Sequence, residues 1–333
     1  GLDPAVIHSG LSAGGRLDSW YAAWSGRASL VVGTRSALFT PLPRPGILIL
    51  DEEHDASFKQ QDGFRYSARD VAVKRAAELD IPIVLGTATP SLESLSNAVR
   101  GKYSWHRLRE RATQAPLPAW RVLDMRQQAV VNGLSAISLE AIAETLERGE
   151  QAMVFLNRRG YAPVLMCQQC GWSGNCERCD AHLTWHRSAR KLVCHHCGSQ
   201  RPAPQLCPEC RADALQGAGE GTQQLEESLE RRFTGVPTLR FDRDRTSRAG
   251  VMDRQLDQVR DGGPCLLVGT QMLAKGHHFP GVTLVVIVNI DQALYSADFR
   301  ALERMGQMIL QVAGRAGRME KPGTVILQTL HPD

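Results

Sequence analysis

The sequence predicts an α/β protein of two parallel-sheet domains, with a cysteine-rich insertion in the second domain. Short β-branched runs alternate with helix-length segments in both halves of the chain, as βαβ units require. Eight of the nine cysteines lie between Cys167 and Cys210 and interrupt the second series of strands. A chain of 333 residues, 43% of them hydrophobic, is long enough to bury two cores.

The first domain is predicted to span residues 1–101. Each of its strands ends in a polar or glycine-rich turn, which is where ligands bind in open α/β sheets. Helices are expected at 16–24 and 68–79. The predicted strands are 6–8, 30–33, 47–51 and 81–85.

Residues 102–137 have irregular periodicity and two prolines, which predicts a connection between the domains. The second domain begins over 138–166, is interrupted by the insertion at 167–210, and continues over 211–333. Its first helix is expected at 138–148. Its predicted strands are 152–156, 238–241, 266–269, 284–290 and 324–328.

The composition limits the classes of protein to consider. Charged residues make up 22% of the chain and the net charge is +4, so any surface for nucleic acid must be local. The longest apolar run, 282–290, is far shorter than the roughly 18 residues of a spanning helix, so we expect no membrane partner. Residues 1–10 lack a secretion signal and an initiator Met, which predicts a piece of a longer protein.

Two acidic residues stand at the carboxyl end of the predicted buried strand at 47–51. Asp51 ends this strand and Glu52 comes next, at the position of a Walker B carboxylate. An Asp there can hold Mg²⁺ through water, and the adjacent Glu can orient and deprotonate the water that attacks a γ-phosphate. An isolated acidic turn is as often a solvated loop, so the neighbouring motifs decide.

Two of these neighbouring motifs favour phosphoryl chemistry. Thr87 and Thr89 follow the next strand and carry hydroxyls that can bond the acidic turn. Arg315 and Arg318 lie three residues apart in QVAGRAGR, and guanidinium groups so placed can stabilise charge on a transferring phosphoryl group. With the acidic turn present, a solvated basic helix end is the weaker interpretation of these arginines.

Four C-x-x-C pairs supply the ligands of two tetrahedral Cys₄ zinc sites of structural kind. Redox chemistry would need a thioredoxin-like context, and a metal–thiolate site predicts a reducing compartment, the cytoplasm. Three pairings of the turns are possible, and the nested one is favoured because it brings the ends of the insertion together. It places Cys167, Cys170, Cys207 and Cys210 in an outer site and Cys176, Cys179, Cys194 and Cys197 in an inner site.

Eight thiolates complete two sites, so the nearby histidines are interpreted as surface or packing residues. Cys265, at the start of a strand, is expected to be a buried thiol without a metal. The histidines concerned are His182, His186, His195 and His196.

Two segments of the first domain are candidates for DNA contact. Thr34, Arg35 and Ser36 follow a strand and can bond phosphate oxygens without reading sequence, while Ser36 can also cap a helix. Aromatic residues after the acidic turn can stack on unpaired bases, although packing in a core explains them about equally well. These aromatic residues are Phe58, Phe64 and Tyr66.

In this order the motifs resemble those of superfamily 2 helicases: DEEH at 51–54, GTATPS at 86–91, GTQMLAKGHHFP at 269–280 and QVAGRAGR at 311–318. DEEH with the segment SFKQQDGFRYSARD, the NRRGY turn and the eight-cysteine insertion is similar to the PriA, or primosomal protein N′, family of replication-restart helicases. The resemblance covers essentially all 333 residues.

The resemblance implies two RecA-like helicase lobes, the first incomplete, with the zinc-binding insertion in the second, and the same nested pairing of cysteines. Asp51 would coordinate Mg²⁺ and Glu52 would be the catalytic base. Arg315 and Arg318 would be finger residues, and Gln311 would sense the nucleotide. Coupling of ATP to DNA would fall to His54, Thr87, Thr89, Gly269, Thr270, Gln271 and Lys275.

The family's phosphate loop, G-x-x-x-x-G-K-[ST], does not occur in this sequence. Its backbone N–H groups and Lys would neutralise the β and γ phosphates. The glycine-rich stretch 217–222 has no Lys and corresponds to a turn near motif IV. The loop is expected upstream of Gly1, so we expect this chain alone neither to bind ATP tightly nor to hydrolyse it.

The resemblance implies an ATP-dependent 3′–5′ DNA helicase that recognises stalled or abandoned replication forks and initiates primosome assembly. Its cofactors would be two Zn²⁺ and, in the full-length protein, Mg²⁺ and ATP. Its partners would be branched and single-stranded DNA, single-stranded DNA-binding protein, other primosome proteins and the replicative helicase. The alternative is a non-catalytic DNA-binding and primosome-scaffolding module, which a degenerate phosphate loop upstream would favour.

Overall fold

A computed structural model of the chain describes residues 3–108, 116–131, 133–157, 164–179, 182–186, 189–194, 197–217, 222–241, 251–270, 273, 279–296, 298–317 and 321–332. The chain divides into two compact units, residues 1–105 and 106–333. None of the described helices is both long and apolar enough to span a membrane.

The first unit contains two parallel strand pairs. Strand β1 (Ala5–Ile7) pairs with β2 (Val31–Gly33), and β3 (Leu48–Asp51) pairs with β4 (Ile83–Gly86). The pairs remain separate two-stranded sheets among the described residues. β3 and β4 end in register at Asp51 and Gly86, so the turns that follow them lie side by side.

The described residues of the first unit also form three α-helices: α1 (Ala13–Trp24), α2 (Ala68–Glu78) and α3 (Leu92–Val99). Each begins after a serine whose hydroxyl accepts a backbone N–H of the first turn, which satisfies one of the otherwise unpaired donors there. These capping residues are Ser12, Ser67 and Ser91. The sequence did not predict α3, which is only eight residues long.

The described residues of the second unit form, in chain order, β5 (Ala119–Asp124), β6 (Val130–Val131), β7 (Leu134–Ser135), α4 (Ala136–Glu147), β8 (Gln151–Leu156), β9 (Leu165–Cys167), β10 (Thr184–His186), β11 (Lys191–Val193), β12 (Gln200–Pro202), β13 (Leu215–Gly217), α5 (Thr222–Arg232), β14 (Thr238–Phe241), α6 (Val251–Arg260), β15 (Cys265–Gly269), β16 (Val282–Val288), α7 (Ala301–Ala313) and β17 (Thr324–Thr329).

A six-stranded parallel sheet, in the order β14-β15-β8-β16-β17-β5, is the centre of the second unit. Every residue of β8, β15 and β16 is buried, as in a parallel sheet covered on both faces. One core packs Ile142 of α4 and Leu225 of α5 against the sheet. The other packs Val259 of α6 and Val312 of α7. The predicted α/β class with parallel sheets is confirmed.

The predicted connection at 102–137 is wrong in part, because residues 119–124 form β5. This strand pairs in parallel with β17 from Ala119 to Asp124 at the edge of the large sheet. Four of its six residues are exposed, so it lacks the continuous apolar run by which the central strands could be predicted.

The insertion leaves and rejoins the second unit through an antiparallel pair, β9 with β13, in which Cys167 lies opposite Leu215. Its distal part is an antiparallel meander of β10, β11 and β12. A small core around Leu165, Leu183 and Leu192 packs inside it. Because β9 and β13 bring the ends of the insertion together, the large sheet continues past it.

Candidate functional site

The acidic turn lies at the carboxyl end of β3, where ligands bind in parallel sheets. Asp51 and Glu52 are both exposed, and the Glu52 side chain is 49% accessible. Asp51 Oδ1 accepts a hydrogen bond from the backbone N–H of Glu52 at 3.0 Å. Glu52 has a φ of +50°, which residues with a side chain adopt rarely. Both residues are open to solvent, and a carboxylate such as that of Asp51 can hold a hydrated Mg²⁺.

Several predicted coupling residues meet beside this turn. The Nδ1 atom of His54, whose side chain is 5% accessible, lies 2.8 Å from Thr87 Oγ1 and 3.6 Å from Glu52 Oε2. Thr87 Oγ1 also accepts the backbone N–H of Thr89 at 2.9 Å. The turn after β4 is therefore joined to the acidic turn through one imidazole.

Sequence reasoning missed Glu53, the residue between the exposed Glu52 and His54. Its carboxylate is completely buried and accepts hydrogen bonds from Ser91, Ser94 and Arg69. No local pattern signals this role, because the donors lie 16 to 41 residues further along the chain.

A cavity of about 480 Å³ lies at the carboxyl ends of β1 and β2. It brings together four of the residues predicted to contact DNA, Thr34, Arg35, Ser36 and Tyr66. Sequence reasoning missed several other residues of its wall, among them His8, Arg16 and Trp20.

Arg35 is engaged within the first unit. Its Nη1 donates to the carbonyl oxygens of Ser57 and Lys59, each at 3.0 Å, and its guanidinium lies 6.0 Å from the centre of the Tyr66 ring. It therefore ties residues 57–66, called here the aromatic-bearing segment, to the wall of the cavity. The interpretation of Ser36 as an N-cap is wrong, because Thr34 occupies that position before the 3₁₀ helix Arg35–Phe39.

The aromatic residues after the acidic turn differ in exposure. Phe64 is 86% exposed and stacks on Tyr66, with ring centres 6.3 Å apart and planes 22° from parallel. Tyr66 is half-buried and meets the edge of Phe39, and Phe58 is half-buried. Core packing therefore cannot explain Phe64.

The predicted residues of the second unit are described only in part. Gly269 ends β15, and the next residue, Thr270, is buried. Gln311 is half-buried in the last turn of α7, and Arg315 is 8% exposed in the turn after that helix. The predicted residues Gln271, Lys275 and Arg318 lie outside the described residues.

The eight clustered cysteines form two groups with the nested pairing, and within each group the four Sγ atoms lie within 4.8 Å of one another. Sγ–Sγ distances are 3.5 Å for Cys167–Cys210 and for Cys176–Cys197, and 3.6 Å for Cys170–Cys207 and for Cys179–Cys194. These exceed the roughly 2.05 Å of a disulfide. They approach the roughly 3.8 Å edge of a tetrahedron whose metal–sulfur distance is about 2.3 Å. The donors fit two structural Zn²⁺ ions, as predicted.

Backbone donors prepare one thiol of each site for ionisation. In the outer site burial opposes ionisation, but the backbone N–H groups of Cys210 and Glu209, together with the thiols of Cys170 and Cys210, lower the pKa of Cys207 to about 7. In the inner site the backbone N–H of Arg178 lowers the pKa of Cys176. The ninth cysteine, Cys265, is buried in β15, and burial raises its pKa to about 11, so it is an inert thiol.

His182 packs the insertion against the rest of the second unit. Its ring meets Tyr295 edge to face, with ring centres 4.9 Å apart, and Tyr295 Oη hydrogen-bonds to His331 Nε2. Burial lowers the pKa of His182, so a neutral ring is favoured in this contact. The structure agrees with its interpretation as a packing residue, whereas His195 and His196 lie outside the described residues.

Two family models match the second unit. Residues 176–202 match the PriA DNA helicase Cys-rich region domain, and residues 219–320 match the helicase conserved C-terminal domain. The second unit thus combines a parallel α/β sheet with a zinc-binding insertion, and in these two stretches it is similar to helicases.

Among helicases, the chain is most informatively compared with curated PriA sequences. The chain is 50% identical to replication restart protein PriA of Haemophilus influenzae over 98% of the chain and 45% of that protein. It is 43% identical to PriA of Bacillus subtilis over 100% of the chain and 42% of that protein. The resemblance to the PriA family is thereby confirmed along the whole chain, which spans less than half the length of these relatives.

Among solved structures, Saccharomyces cerevisiae Dbp5 bound to RNA and ADP BeF3 is similar to 91% of the chain, with 60% of that protein covered. The sequence identity is 16% and the TM-score is 0.46.

Proposed function

We propose that the full-length protein containing this chain is an ATP-dependent DNA helicase that moves 3′ to 5′ and acts at stalled or abandoned replication forks. The observation that supports the motor activity best is the exposed pair Asp51 and Glu52, connected by His54 to Thr87. PriA-family relatives and the helicase C-terminal match support the same class of activity.

In the proposed reaction Asp51 would hold Mg²⁺, which would neutralise charge on the ATP phosphates, and Glu52 accepts a proton from the water that attacks the γ-phosphorus of ATP. The bond between the γ-phosphorus and the β,γ-bridging oxygen breaks, and ADP leaves. Arg315 and Arg318 stabilise charge on the transferring phosphoryl group, and Gln311 contacts the nucleotide. Glu52 is suited to its role because its carboxylate is exposed beside Asp51.

His54, with Thr87 and Thr89, is proposed to pass the state of the nucleotide to the DNA-binding surface. The 2.8 Å contact between His54 Nδ1 and Thr87 Oγ1 supports this, because a shift of the acidic turn must move or break it. Gly269, Thr270, Gln271 and Lys275 are proposed to serve the same purpose in the second lobe.

The cavity beside β1 and β2 is proposed to hold the DNA backbone. Thr34 and Ser36, both exposed residues, line this cavity together with Arg16. Phe64, stacked on Tyr66 at the surface, is proposed to stack on an unpaired base, and Phe58 to support this segment.

The domain bounds remain a proposal: a partial first lobe at 1–101, a connection shortened by β5, and a second lobe on both sides of the insertion. The insertion is proposed as a rigid platform for primosome proteins, the replicative helicase and single-stranded DNA-binding protein, and for separating strands at the fork. The zinc–thiolate sites favour the reducing cytoplasm.

Strand separation by the full-length protein tests this function. Fork substrates that carry a single-stranded gap on either the leading or the lagging arm should be unwound in the presence of ATP and Mg²⁺. The protein should move along the strand that it binds in the 3′-to-5′ direction only. Binding to the forks without unwinding or ATP hydrolysis would instead support the non-catalytic scaffolding module.

Residues 1–333 by themselves are proposed to be inactive, because no G-x-x-x-x-G-K-[ST] loop occurs in them. Purified chain should show no DNA-stimulated phosphate release above a no-protein blank. Robust stimulation would refute this part of the proposal.

A further inference from the structure

The most completely buried charge of the first unit stands next to the proposed catalytic base. Glu53 Oε1 accepts the backbone N–H of Ser91 at 2.7 Å. Its Oε2 accepts Ser94 Oγ at 2.8 Å, Ser91 Oγ at 3.0 Å and Arg69 Nη1 at 3.2 Å. The Glu53 side chain has no accessible surface, whereas that of Glu52 is 49% accessible. A carboxylate is stable in such a position only when donors surround both of its oxygens.

These contacts join three elements around the acidic turn. Ser91 and Ser94 belong to the start of α3, and Arg69 lies in the first turn of α2, directly after the aromatic-bearing segment. The backbone N–H of Glu53 donates to Gly86 O at 3.1 Å, which fixes its main chain to β4 as well. Glu53 is thus held by main chain and side chain together.

This fixation bears on Glu52, which has the unfavourable φ of +50°. A residue persists in such a conformation only where the surrounding structure determines it from both sides. On one side Asp51 ends β3 in register with Gly86 and bonds the Glu52 N–H. On the other side Glu53 is held in place by the hydrogen bonds of its side chain and its backbone N–H.

We propose that Glu53 is a positioning residue that holds Glu52 in its left-handed conformation and so aims the Glu52 carboxylate at the reacting water. This inference rests on the proposed ATPase function. Arg69 makes the position of the turn depend on α2, so a change in the aromatic-bearing segment reaches Glu52 through one buried ion pair.

The test is Glu53→Gln in the full-length protein, assayed for DNA-stimulated ATP hydrolysis. In one orientation the amide NH₂ faces the backbone N–H of Ser91, and in the other it faces Arg69 Nη1, so one of these donors loses its acceptor in either case. Arg69 also loses one of its three neighbouring carboxylates, while Asp70 and Glu93 remain. A displacement of about 1 Å at a reacting group costs on the order of 100-fold in rate. We expect kcat to fall about 10- to 100-fold while KM for ATP changes less than about threefold, since Glu53 does not touch ATP.

Glu93→Gln is the matched control. Its carboxylate is 41% accessible and lies 3.8 Å from the same Arg69 Nη1, so the control removes an acid beside Arg69 and leaves Glu53 in place. It should keep kcat within about twofold of wild type. Ser94→Ala, which removes a single neutral donor to Glu53, should lower both kcat and the melting temperature less than Glu53→Gln, because Ser91 Oγ and Arg69 Nη1 still donate to the same oxygen.

A kcat of Glu53→Gln equal to that of wild type, or a fall matched by Glu93→Gln, would overturn the inference. If Glu53→Gln does not fold, Ser94→Ala decides: a lowered kcat at unchanged KM supports the positioning role, and an unchanged kcat rejects it. Failure of the proposed function is distinguishable from failure of this inference. In that case the wild-type protein would hydrolyse no ATP, or Glu52→Gln would hydrolyse it at the wild-type rate, whatever the result for Glu53→Gln.

Discussion

Removing one cysteine from each of two C-x-x-C turns tests the nested pairing. Cys176 and Cys197 belong to the same site in the nested arrangement, with their Sγ atoms 3.5 Å apart. In both other pairings they belong to different sites. The double variant Cys176→Ser/Cys197→Ser should therefore lose one of two zinc ions if the sites are nested, and both if they are not.

The free energy of zinc binding is much larger than the contribution of the apolar core of the insertion, so loss of one ion should unfold the part of the insertion around it. A structural Zn²⁺ contributes about 10 to 16 kcal/mol of apparent binding free energy. The small core of the insertion includes Leu183 and Leu192, each worth about 1.5 to 3 kcal/mol when buried. That apolar contribution is too small to hold the meander of β10 to β12 without its metal, so the inner part should unfold. The outer site should persist, because β9 and β13 fix its base to the second unit.

Zinc content per chain, measured by inductively coupled plasma mass spectrometry, reads out the pairing, and hydrogen exchange of β10 to β12 reads out local unfolding. The matched control is Cys170→Ser/Cys176→Ser, which removes one ligand from each nested site and should leave no tightly bound zinc. One zinc ion retained by the control and none by Cys176→Ser/Cys197→Ser would refute the nested arrangement.

Three further predictions concern single residues. Phe64→Ala should leave the melting temperature unchanged because Phe64 is exposed, but should raise the single-stranded DNA concentration for half-maximal ATPase by about 5- to 160-fold, from the roughly 1 to 3 kcal/mol of a base stack. Unchanged DNA activation would count against base stacking. Gly269→Ala places a Cβ 2.4 Å from the carbonyl oxygen of Phe241 and should lower the free energy of unfolding, measured by denaturant titration, by about 1 to 3 kcal/mol. Gly263→Ala, where nothing lies within 4 Å of the new Cβ, is the control and should have little effect. Equal effects of the two variants would contradict the packing described for β14 and β15. Cys265 should resist a thiol reagent in the native zinc-loaded protein at pH 8, since its pKa of about 11 keeps it protonated, and Cys265→Ala should keep both zinc ions; rapid labelling of Cys265 would disprove its burial.

The parts of the fold that sequence predicts well are those with a strong local signal. Strands β8, β15 and β16 are buried on both faces and therefore appear as continuous apolar runs. The edge strand β5 is largely exposed and lacks that run, so it was assigned to the connection. The zinc ligands were predicted because C-x-x-C spacing is itself the geometry of the site.

The sequence could not predict contacts between residues that are far apart along the chain. The carboxylate of Glu53 has donors 16 to 41 residues away, and nothing around it distinguishes it from its two exposed acidic neighbours. Arg35 was predicted as a phosphate ligand, but its bonds to Ser57 and Lys59 depend on how a later loop folds back. Such roles depend on tertiary structure, which local periodicity does not encode.

The central claim is that Glu52, beside Asp51, is the base of an ATPase. Glu52→Gln in the full-length protein should bind ATP with unchanged affinity, because the amide is close in size and shape to the carboxylate, but should lower the DNA-stimulated rate of phosphate release by about 100- to 10,000-fold. Single-turnover phosphate release with ATP affinity measured in parallel gives both quantities. A variant that releases phosphate at the wild-type rate would contradict the account.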